Sequence, residues 1–245
     1  RALLDVSITN SKPISTSTIG YIIAPRINAS GRLGCASRSV EMFLTDDSAK
    51  ALELANNLCE ENTIRQQTEQ KMFAEALEYI ENHPEVKDDQ ILIIPHENWH
   101  HGIVGIVSSK ITEKFYKPSI LFAIDGDGAK GSGRSISGYN LFEALENCSG
   151  LLEKFGGHEL AAGLSIKTEN IEAFREEINK NAVGKIDDKA LTPTISIDAV
   201  IKPTYISLET VDEINKLQPF GVENPAPTFA VKNIKIHKIS TMSDG

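Results

Sequence analysis

The sequence predicts an α/β fold that follows one long helix and precedes a β-rich segment. From Thr45 to about Asn82 the chain contains no glycine or proline, so nothing there breaks a helix. Between about residues 86 and 186, short apolar runs alternate with amphipathic stretches, which is typical of a sheet packed between helices. The segments 194–207 and 227–240 alternate apolar and polar residues as strands do.

The composition is that of a globular protein. The 245 residues are 40% hydrophobic and 24% charged, which is enough to form a core. The cysteines lie far apart and form no CxxC pair, which argues against a disulfide framework and a zinc site and favours a cytoplasmic location. No apolar run approaches the ~18 residues of a membrane span. Because the chain begins with Arg1 instead of methionine, we expect it to be a piece of a longer protein.

The net charge of −9 is unevenly distributed. Residues 46–90 contain twelve acidic and four basic side chains, a net charge of −8, whereas the first 45 residues carry +3. The overall acidity therefore does not exclude a local surface that binds phosphate groups.

The acidic segment is itself the predicted long helix. It is rich in alanine, leucine, glutamate, lysine and glutamine, which lose little side-chain freedom in a helix. Thr45 and the two aspartates after it suit the N-terminus, where short oxygen-bearing side chains accept hydrogen bonds from free amides. His83-Pro84 ends the helix. A helix of ~38 residues would span ~57 Å at ~1.5 Å per residue, so we interpret it as a strut between two domains instead of two shorter helices.

The segment after this helix is expected to alternate strands and helices. Strands are predicted at 90–96, 118–124 and 161–167, and helices at 102–115, 140–155 and 170–182. Between them, residues 125–138 form a predicted glycine-rich turn region that includes a short strand. Its Asp-Gly-Asp resembles a metal-binding sequence, but we interpret it as a turn because the further ligands of a calcium loop are missing. The polar residues 184–193 are interpreted as a linker.

Two arginine-containing motifs could bind anions. In "PRINASGRLG", Arg26 and Arg32 flank Asn28. Guanidinium groups pair with phosphate oxygens in a bidentate manner, although arginines at this spacing also form structural ion pairs. In "KGSGRS", hydroxyl, amide and guanidinium donors could form an anion nest, with a plain hairpin turn as the open alternative. These donors belong to Ser132, Gly133 and Arg134.

Two histidine-containing motifs are further candidates. In "NWHHGIVGIV", His100 and His101 precede a predicted helix whose first amides could face an anion, although both could equally be loop residues. In "EKFGGHELAAGLSI", Gly156 and Gly157 could present bare backbone to a phosphate while His158 donates a proton or a hydrogen bond. The small residues after this histidine strengthen the hypothesis, because they would let a strand or a ligand pass close by.

Taken together, these motifs resemble a known family. The order and spacing are similar to the second half of the RecJ family of single-stranded-DNA exonucleases, in the DHH phosphoesterase superfamily. The segments that carry the resemblance are "IAPRINASGRLG", "FLTDD", "WHHGIVGIVSSKI", "GSGRSISGYNLFEAL" and "FGGHELAAGLSI". The resemblance implies a DHH-associated domain with a mixed sheet flanked by helices, a long connecting helix before it, and the start of an OB-fold domain after it.

The resemblance also implies how the chain is divided. The expected parts are 1–45 as the end of the DHH catalytic domain, 46–85 as the connecting helix, 86–186 as the DHH-associated domain, and 187–245 as the linker and start of the OB fold. The family binds two manganese or magnesium ions through aspartate and histidine motifs that would lie upstream of Arg1. We therefore expect no metal ligand in this chain.

The same resemblance implies which residues contact DNA. This chain is expected to form the wall of a cleft opposite the metal ions, with His158 as a catalytic residue. The expected substrate-binding residues are Arg26, Asn28, Arg32, His100, Ser132, Gly133, Arg134, Gly156 and Gly157.

The implied activity of the intact protein is hydrolysis of single-stranded DNA from its 5′ end, by a cytoplasmic monomer without membrane contact. A single-strand-binding protein and a helicase are implied partners. In the OB-like segment, Tyr205, Phe220 and Phe229 could stack on bases or belong to the core. Two alternatives stay open: a phosphodiesterase of the same superfamily that acts on cyclic dinucleotides or short oligonucleotides, and a non-catalytic nucleic-acid-binding module.

Overall fold

A computed structural model describes residues 1–8, 14–186, 191–235 and 237–240. The chain divides into two compact units, a larger one that includes residues 20–193 and a smaller one that includes residues 194–245. Within the described residues, no helix combines the length and the hydropathy that a membrane crossing requires.

Four helices form the N-terminal part of the larger unit: α1 (Ala2–Ser7), α2 (Ala24–Leu33), α3 (Ser37–Leu44) and α4 (Ser48–Asn82), with a π-helical stretch at Thr18–Ile23 before α2. Helix α4 is a single helix of 35 residues, as predicted, instead of two shorter ones. Its N-terminus is capped by Asp47, whose carboxylate accepts hydrogen bonds from the amides of Ala49 at 2.8 Å and Lys50 at 3.3 Å. The helix ends at Asn82, shortly before Pro84, which is the first residue of the next helix.

Helix α4 contributes to two hydrophobic clusters. Its first half packs Leu54 and Leu58 among residues of α1, α2 and α3, and its second half packs Met72 and Ile80 into a second cluster. Between the two lies the buried Glu69, which pairs with Arg65 on the same helix and with a lysine of a later helix. Because burial of an unpaired carboxylate is costly, this pairing is what allows the polar break in the apolar stripe.

The remaining part of the larger unit is an α/β domain. Its strands are β1 (Leu92–His96), β2 (Ser119–Asp125), β3 (Gly128–Arg134), β4 (Leu152–His158) and β5 (Ala161–Lys167). Its helices are α5 (Pro84–Asp88), α6 (Val104–Phe115), α7 (Leu141–Asn147) and α8 (Ile171–Ala182). The strands form one sheet in the order β1-β2-β3-β5-β4, in which β1 and β2 are parallel and the other pairs antiparallel. The predicted mixed sheet between helices is thus confirmed.

The two faces of this sheet differ. One face carries Phe122, Leu164 and Ile166 and is covered by α7 and α8. The other face is covered by α4 and α6 over β1 and β2, where Leu121 and Ala123 are buried. On β3, β5 and β4, the residues of this second face are exposed or half-buried. We call this part the open face.

One predicted element is wrong, and a second is more extended than expected. The helix predicted at 140–155 is only α7, followed by a 3₁₀ turn at Ser149–Leu151 and then by β4. Antiparallel pairing of β4 with β5 outweighs the helix propensity of the sequence "LLEKF". The short strand predicted within the region 125–138 is present as β3, which is seven residues long. Its Gly131 is required because a Cβ there would lie 2.6 Å from the Phe122 ring.

The smaller unit contains the two-residue parallel strands β6 (Ala199–Val200) and β7 (Phe229–Ala230). It also contains a 3₁₀ turn at Pro203–Tyr205 and a helix, α9 (Leu208–Asn215), that the strand-like alternation did not predict. The hydroxyl of Ser207 caps α9 by accepting a hydrogen bond from the Thr210 amide at 3.2 Å.

Candidate nucleic-acid interface

The arginines of the predicted site differ from the others in lacking an acidic partner. The other arginines each lie within 4.0 Å of a carboxylate, in the pairs Arg1–Asp5, Arg38–Glu61, Arg65–Glu69 and Arg175–Asp89. Among the described residues, no carboxylate lies within 4.0 Å of Arg26, Arg32 or Arg134. Guanidinium groups without an internal counterion are suited to bind an anion from outside.

Arg134 and Ser132 form the centre of the candidate site. Both lie on the open face of β3, and Arg134 Nη1 donates hydrogen bonds to Ser132 Oγ at 3.1 Å and to the Gly133 carbonyl at 2.7 Å. Burial, and then the positive charge of Arg32, lower the pKa of Arg134. Two cations therefore lie near each other in a partly desolvated place, an arrangement that a bound phosphate would relieve.

The N-terminus of α6 borders this pair. A Cβ at Gly105, in the first turn of α6, would lie 2.9 Å from Ser132 Oγ and 3.0 Å from Arg134 Nη2. Only glycine therefore lets both side chains approach the helix so closely. The amides of Ile103, Val104 and Ile106 donate to backbone carbonyls, so the expectation that the first amides of this helix face an anion is not met, and only the helix dipole adds positive potential beside the guanidinium.

Arg32 and His100 are held at the same helix end. Arg32 Nη1 donates to the Gly102 carbonyl at 3.0 Å, and a Cβ at Gly102 would lie 2.4 Å from the Arg32 carbonyl oxygen. The Gly102 amide donates to His100 Nδ1 at 3.1 Å. Burial, followed by the neighbouring His101, lowers the pKa of His100. The neutral ring, with Nδ1 accepting, carries its proton on Nε2.

His158 reaches the open face from the edge of the sheet. It pairs with Ala161, which in turn pairs with Arg134, and directly paired residues share a face. Two strand spacings place the His158 and Arg134 backbones ~10 Å apart. The Leu160 amide donates to His158 Nδ1 at 3.3 Å, so the neutral ring presents Nε2–H as a donor.

The two glycines before His158 have different roles. Gly156 pairs with Gly163 on β5, and a Cβ at either position would meet nothing within 4 Å. They leave a bare floor on the open face. Gly157, by contrast, has φ +151°, and a Cβ there would lie 2.3 Å from the Ala161 carbonyl oxygen. The pairing of β4 with β5 therefore requires glycine at this position. The sequence had suggested instead that Gly157 contacts the ligand.

Some predicted residues do not lie in this group. Gly133 is buried on the core side, where a Cβ would lie 2.7 Å from Leu141 Cδ2, so packing explains this glycine. The segment "KGSGRS" belongs to β3 and the residue after it, so the hairpin turn is wrong and the backbone pairs in the sheet instead of forming a nest. Anion binding by the side chains of Ser132 and Arg134 stays a prediction. Arg26 donates to Cys59 Sγ at 3.2 Å and to the Ile22 carbonyl at 2.7 Å. Asn28 is exposed on the same helix, α2.

Sequence reasoning missed two lysines on the open face. Lys130 lies two residues before Ser132 on β3, and Lys154 lies two residues before Gly156 on β4. The period-two spacing of Lys130, Ser132 and Arg134 would have placed Lys130 on this face, had the short strand predicted within 125–138 been given the bounds 128–134. Within the part of the chain that is described, no group of three or more histidine, cysteine or acidic residues is arranged to hold a metal ion.

Comparisons with known proteins agree with this architecture. Residues 88–184 match the DHHA1 domain model, and residues 197–245 match the RecJ OB domain model. The chain carries a DHHA1 domain followed by a RecJ OB domain. It corresponds to the C-terminal part of RecJ proteins, which confirms the resemblance found in the sequence.

Individual RecJ proteins match most of the chain. It is 38% identical to the single-stranded-DNA-specific exonuclease RecJ of Bacillus subtilis, over 91% of the chain and 28% of that protein. It is 36% identical to RecJ of Escherichia coli, over 94% of the chain and 41% of that protein. The chain therefore spans less than half the length of these relatives.

Solved RecJ structures have the same fold. Thermus thermophilus RecJ in complex with Mg²⁺ matches with a TM-score of 0.79 and 30% identity, over 93% of this chain and 34% of that one. The same protein in complex with Mn²⁺ matches with a TM-score of 0.77 and 30% identity, over 94% of this chain and 33% of that one. These RecJ neighbours support the use of a divalent metal by the family.

Proposed function

We propose that this chain is the C-terminal part of a 5′-to-3′ single-stranded-DNA exonuclease and supplies the wall that binds DNA phosphates. The observation that carries the proposal is the open face itself, where Arg134, Ser132 and His158 surround a floor without side chains at Gly156 and Gly163. The names of the RecJ relatives support single-stranded DNA as the ligand.

Each group on this face has a task in the proposed reaction. Arg134, with Ser132 and the nearby Arg32, binds the oxygens of a phosphate near the 5′ end and so favours ends over interior positions. His158 Nε2–H donates to the phosphate that is cleaved, balancing the charge that develops there. The bare floor lets the sugar-phosphate backbone lie directly on the sheet.

The metal ions of the reaction would be bound outside this chain. The described residues provide no suitable ligand group, whereas the similar RecJ structures contain Mg²⁺ or Mn²⁺. Such ions activate water and stabilise the leaving oxygen in phosphodiester hydrolysis. We therefore assign binding and orientation of the strand to this chain and metal binding to the rest of the protein.

The shape of the interface favours a strand over a small ligand. The open face spans three adjacent strands, so an extended ligand can lie along it over several residues, whereas small-ligand sites bury most of the ligand. In the smaller unit, Tyr205 is 60% exposed and Phe229 40% exposed, which leaves both rings available for base stacking. A single-strand-binding protein and a helicase as partners, a monomeric state and a cytoplasmic location stay predictions.

Binding assays on the 245-residue chain test this proposal. We expect 5′-phosphorylated single strands to bind more tightly than duplex or cyclic dinucleotide, with or without Mn²⁺, and we expect no cleavage. Fluorescence anisotropy measures the binding, and gel analysis of labelled strands measures cleavage. Preferential binding of cyclic dinucleotide, or metal-dependent release of mononucleotides by the purified chain, would contradict the proposal.

His158 provides a second test, in the full-length protein. We expect His158→Ala to lower turnover about fivefold, because one charge-balancing donor is lost, and His158→Gln to retain more activity because its amide donates from a similar position. Steady-state kinetics across a range of pH measure both variants. If the alanine and glutamine variants have the same turnover as wild type, His158 does not act on the DNA.

A further inference from the structure

The open face repeats its chemistry along the strand direction. Cross-strand pairing arranges its residues in three rows, each with one residue from β3, one from β5 and one from β4. The first row holds Arg134, Ala161 and His158; the second holds Ser132, Gly163 and Gly156; the third holds Lys130, Ser165 and Lys154. The first and third rows thus each have polar donors on both sides of a small residue.

The lysines of the third row resemble Arg134 of the first row, because they also have no acidic partner in the part of the chain that the structure describes. Both Lys130 and Lys154 are exposed, and within the described residues neither has a carboxylate within 4.0 Å. Five other lysines of the larger unit are paired with acids, namely Lys50, Lys71, Lys110, Lys167 and Lys180. Among the residues described, Lys87, Lys114, Lys117 and Lys185 also have no carboxylate within 4.0 Å, so the position on the open face is what distinguishes Lys130 and Lys154. Two strand spacings separate Lys130 from Lys154 by ~10 Å, so both ammonium groups can reach one phosphate between them.

A cleft joins the third row to the second. It has a volume of about 370 Å³, and Lys130 and Lys154 line it together with Ser132 and Gly163. His101, at the end of the loop before α6, also borders it. Ser132 is the shared residue, because it also accepts the hydrogen bond from Arg134. Ser132 therefore links the cleft to Arg134, and a strand bound at Arg134 would pass Ser132 to enter the cleft.

The distance between the rows fits a nucleic-acid backbone. Four residues of an antiparallel strand separate Arg134 from Lys130, which is ~14 Å at ~3.4 Å per residue. This equals the rise of ~4 nucleotides at ~3.4 Å each, and of fewer nucleotides in a stretched strand. Beyond Lys130, an adjoining cleft is bordered by Glu97, Asp125 and Glu153. These carboxylates would repel phosphates, so the cationic surface ends at the third row.

We propose that Lys130 and Lys154 form a second phosphate subsite, which binds an internal phosphodiester of the single strand whose 5′ end lies at Arg134. This inference rests on the proposed function and extends it. The bound single strand would then cover three to four nucleotides on this face. Its 5′ end would lie at the C-terminal end of β3, and the strand would run toward the acidic cleft.

The length of the ligand provides the test. In the 245-residue chain, we expect Lys130→Gln/Lys154→Gln to weaken binding of a 5′-phosphorylated ten-nucleotide oligo(dT) about fivefold, and to reduce the slope of log K against log salt by ~0.7, the value for one phosphate contact. Binding of 5′-phosphorylated dinucleotide should change less than about twofold, because it is too short to reach the third row. Titrations by fluorescence anisotropy without metal measure both ligands.

Two control variants make the result specific. Lys180→Gln removes one charge from α8, on the opposite side of the sheet, and should leave both affinities unchanged. Lys130→Arg/Lys154→Arg should retain binding of the long strand. The second subsite would be contradicted if Lys130→Gln/Lys154→Gln weakened binding of both ligands equally, or if it did not weaken binding of the ten-nucleotide strand. Neither result would contradict the proposed function. Failure of the wild-type chain to bind any single strand would overturn the proposed function and this inference with it.

Discussion

Arg134→Ala is expected to lower the affinity of the full-length protein for 5′-phosphorylated single-stranded DNA, or its turnover, at least tenfold, which equals about 1.4 kcal/mol. The guanidinium has no internal carboxylate partner among the described residues, and it lies beside Ser132 and the first turn of α6. A bound phosphate would be its counterion, so removal of the cation removes a charge-assisted contact.

The same variant should not lose stability. Burial and the charge of Arg32 lower the pKa of Arg134, which means that the folded protein holds this proton less readily than the unfolded chain does. The positive charge that Arg134 carries at neutral pH therefore destabilises the folded state. We expect the melting temperature of Arg134→Ala to equal or exceed that of wild type, as is common when a functional residue is removed.

Kinetics, DNA titration and thermal unfolding together check this prediction. Arg134→Lys separates charge from geometry, because lysine keeps the cation but loses the planar guanidinium group. We expect its affinity for DNA to lie between those of wild type and Arg134→Ala. Lys180→Ala, on the covered side of the sheet, is the control for loss of a positive charge. A lower melting temperature with unchanged DNA affinity in Arg134→Ala would show that this arginine is structural.

Elements with a regular apolar pattern could be predicted from the sequence. The spacing in residues 102–115 and 170–182 predicts α6 and α8 to within two residues, and β5 has the predicted bounds. Helix α4 could be predicted because it lacks glycine and proline over its whole length. In these segments local propensity and burial favour the same structure.

Elements whose structure depends on a distant partner could not be predicted. Strand β4 has the composition of a helix and becomes extended through its pairing with β5. Strand β3 resembles a turn because its glycines accommodate neighbours, such as the Phe122 ring against Gly131. Because the bounds of the predicted short strand were not fixed, the sequence did not place Lys130 on the same face as Ser132 and Arg134, and the row with Lys130 and Lys154 was missed.

The neighbouring glycines of "FGGH" allow stability and binding to be separated. We expect Gly157→Ala to lower the free energy of unfolding by about 3 kcal/mol, because the new Cβ would clash with backbone and because φ is unfavourable for a side chain. The nearest atoms are the Ala161 carbonyl oxygen at 2.3 Å and the Ala162 Cα at 2.6 Å. Neither can move without breaking the pairing of β4 and β5.

Gly156→Ala is the matched control, since it adds the same methyl group one residue earlier, where a Cβ meets nothing within 4 Å. Its free energy of unfolding should change by less than about 1 kcal/mol. The methyl group would, however, stand on the open face, and we expect it to weaken single-strand binding about threefold, because the DNA backbone could no longer lie on the sheet. Urea unfolding and DNA titration of both variants measure the two effects. Equal stability of the two variants would show that Gly157 is not required for strand pairing, and unchanged DNA binding by Gly156→Ala would show that the strand does not contact the open face there.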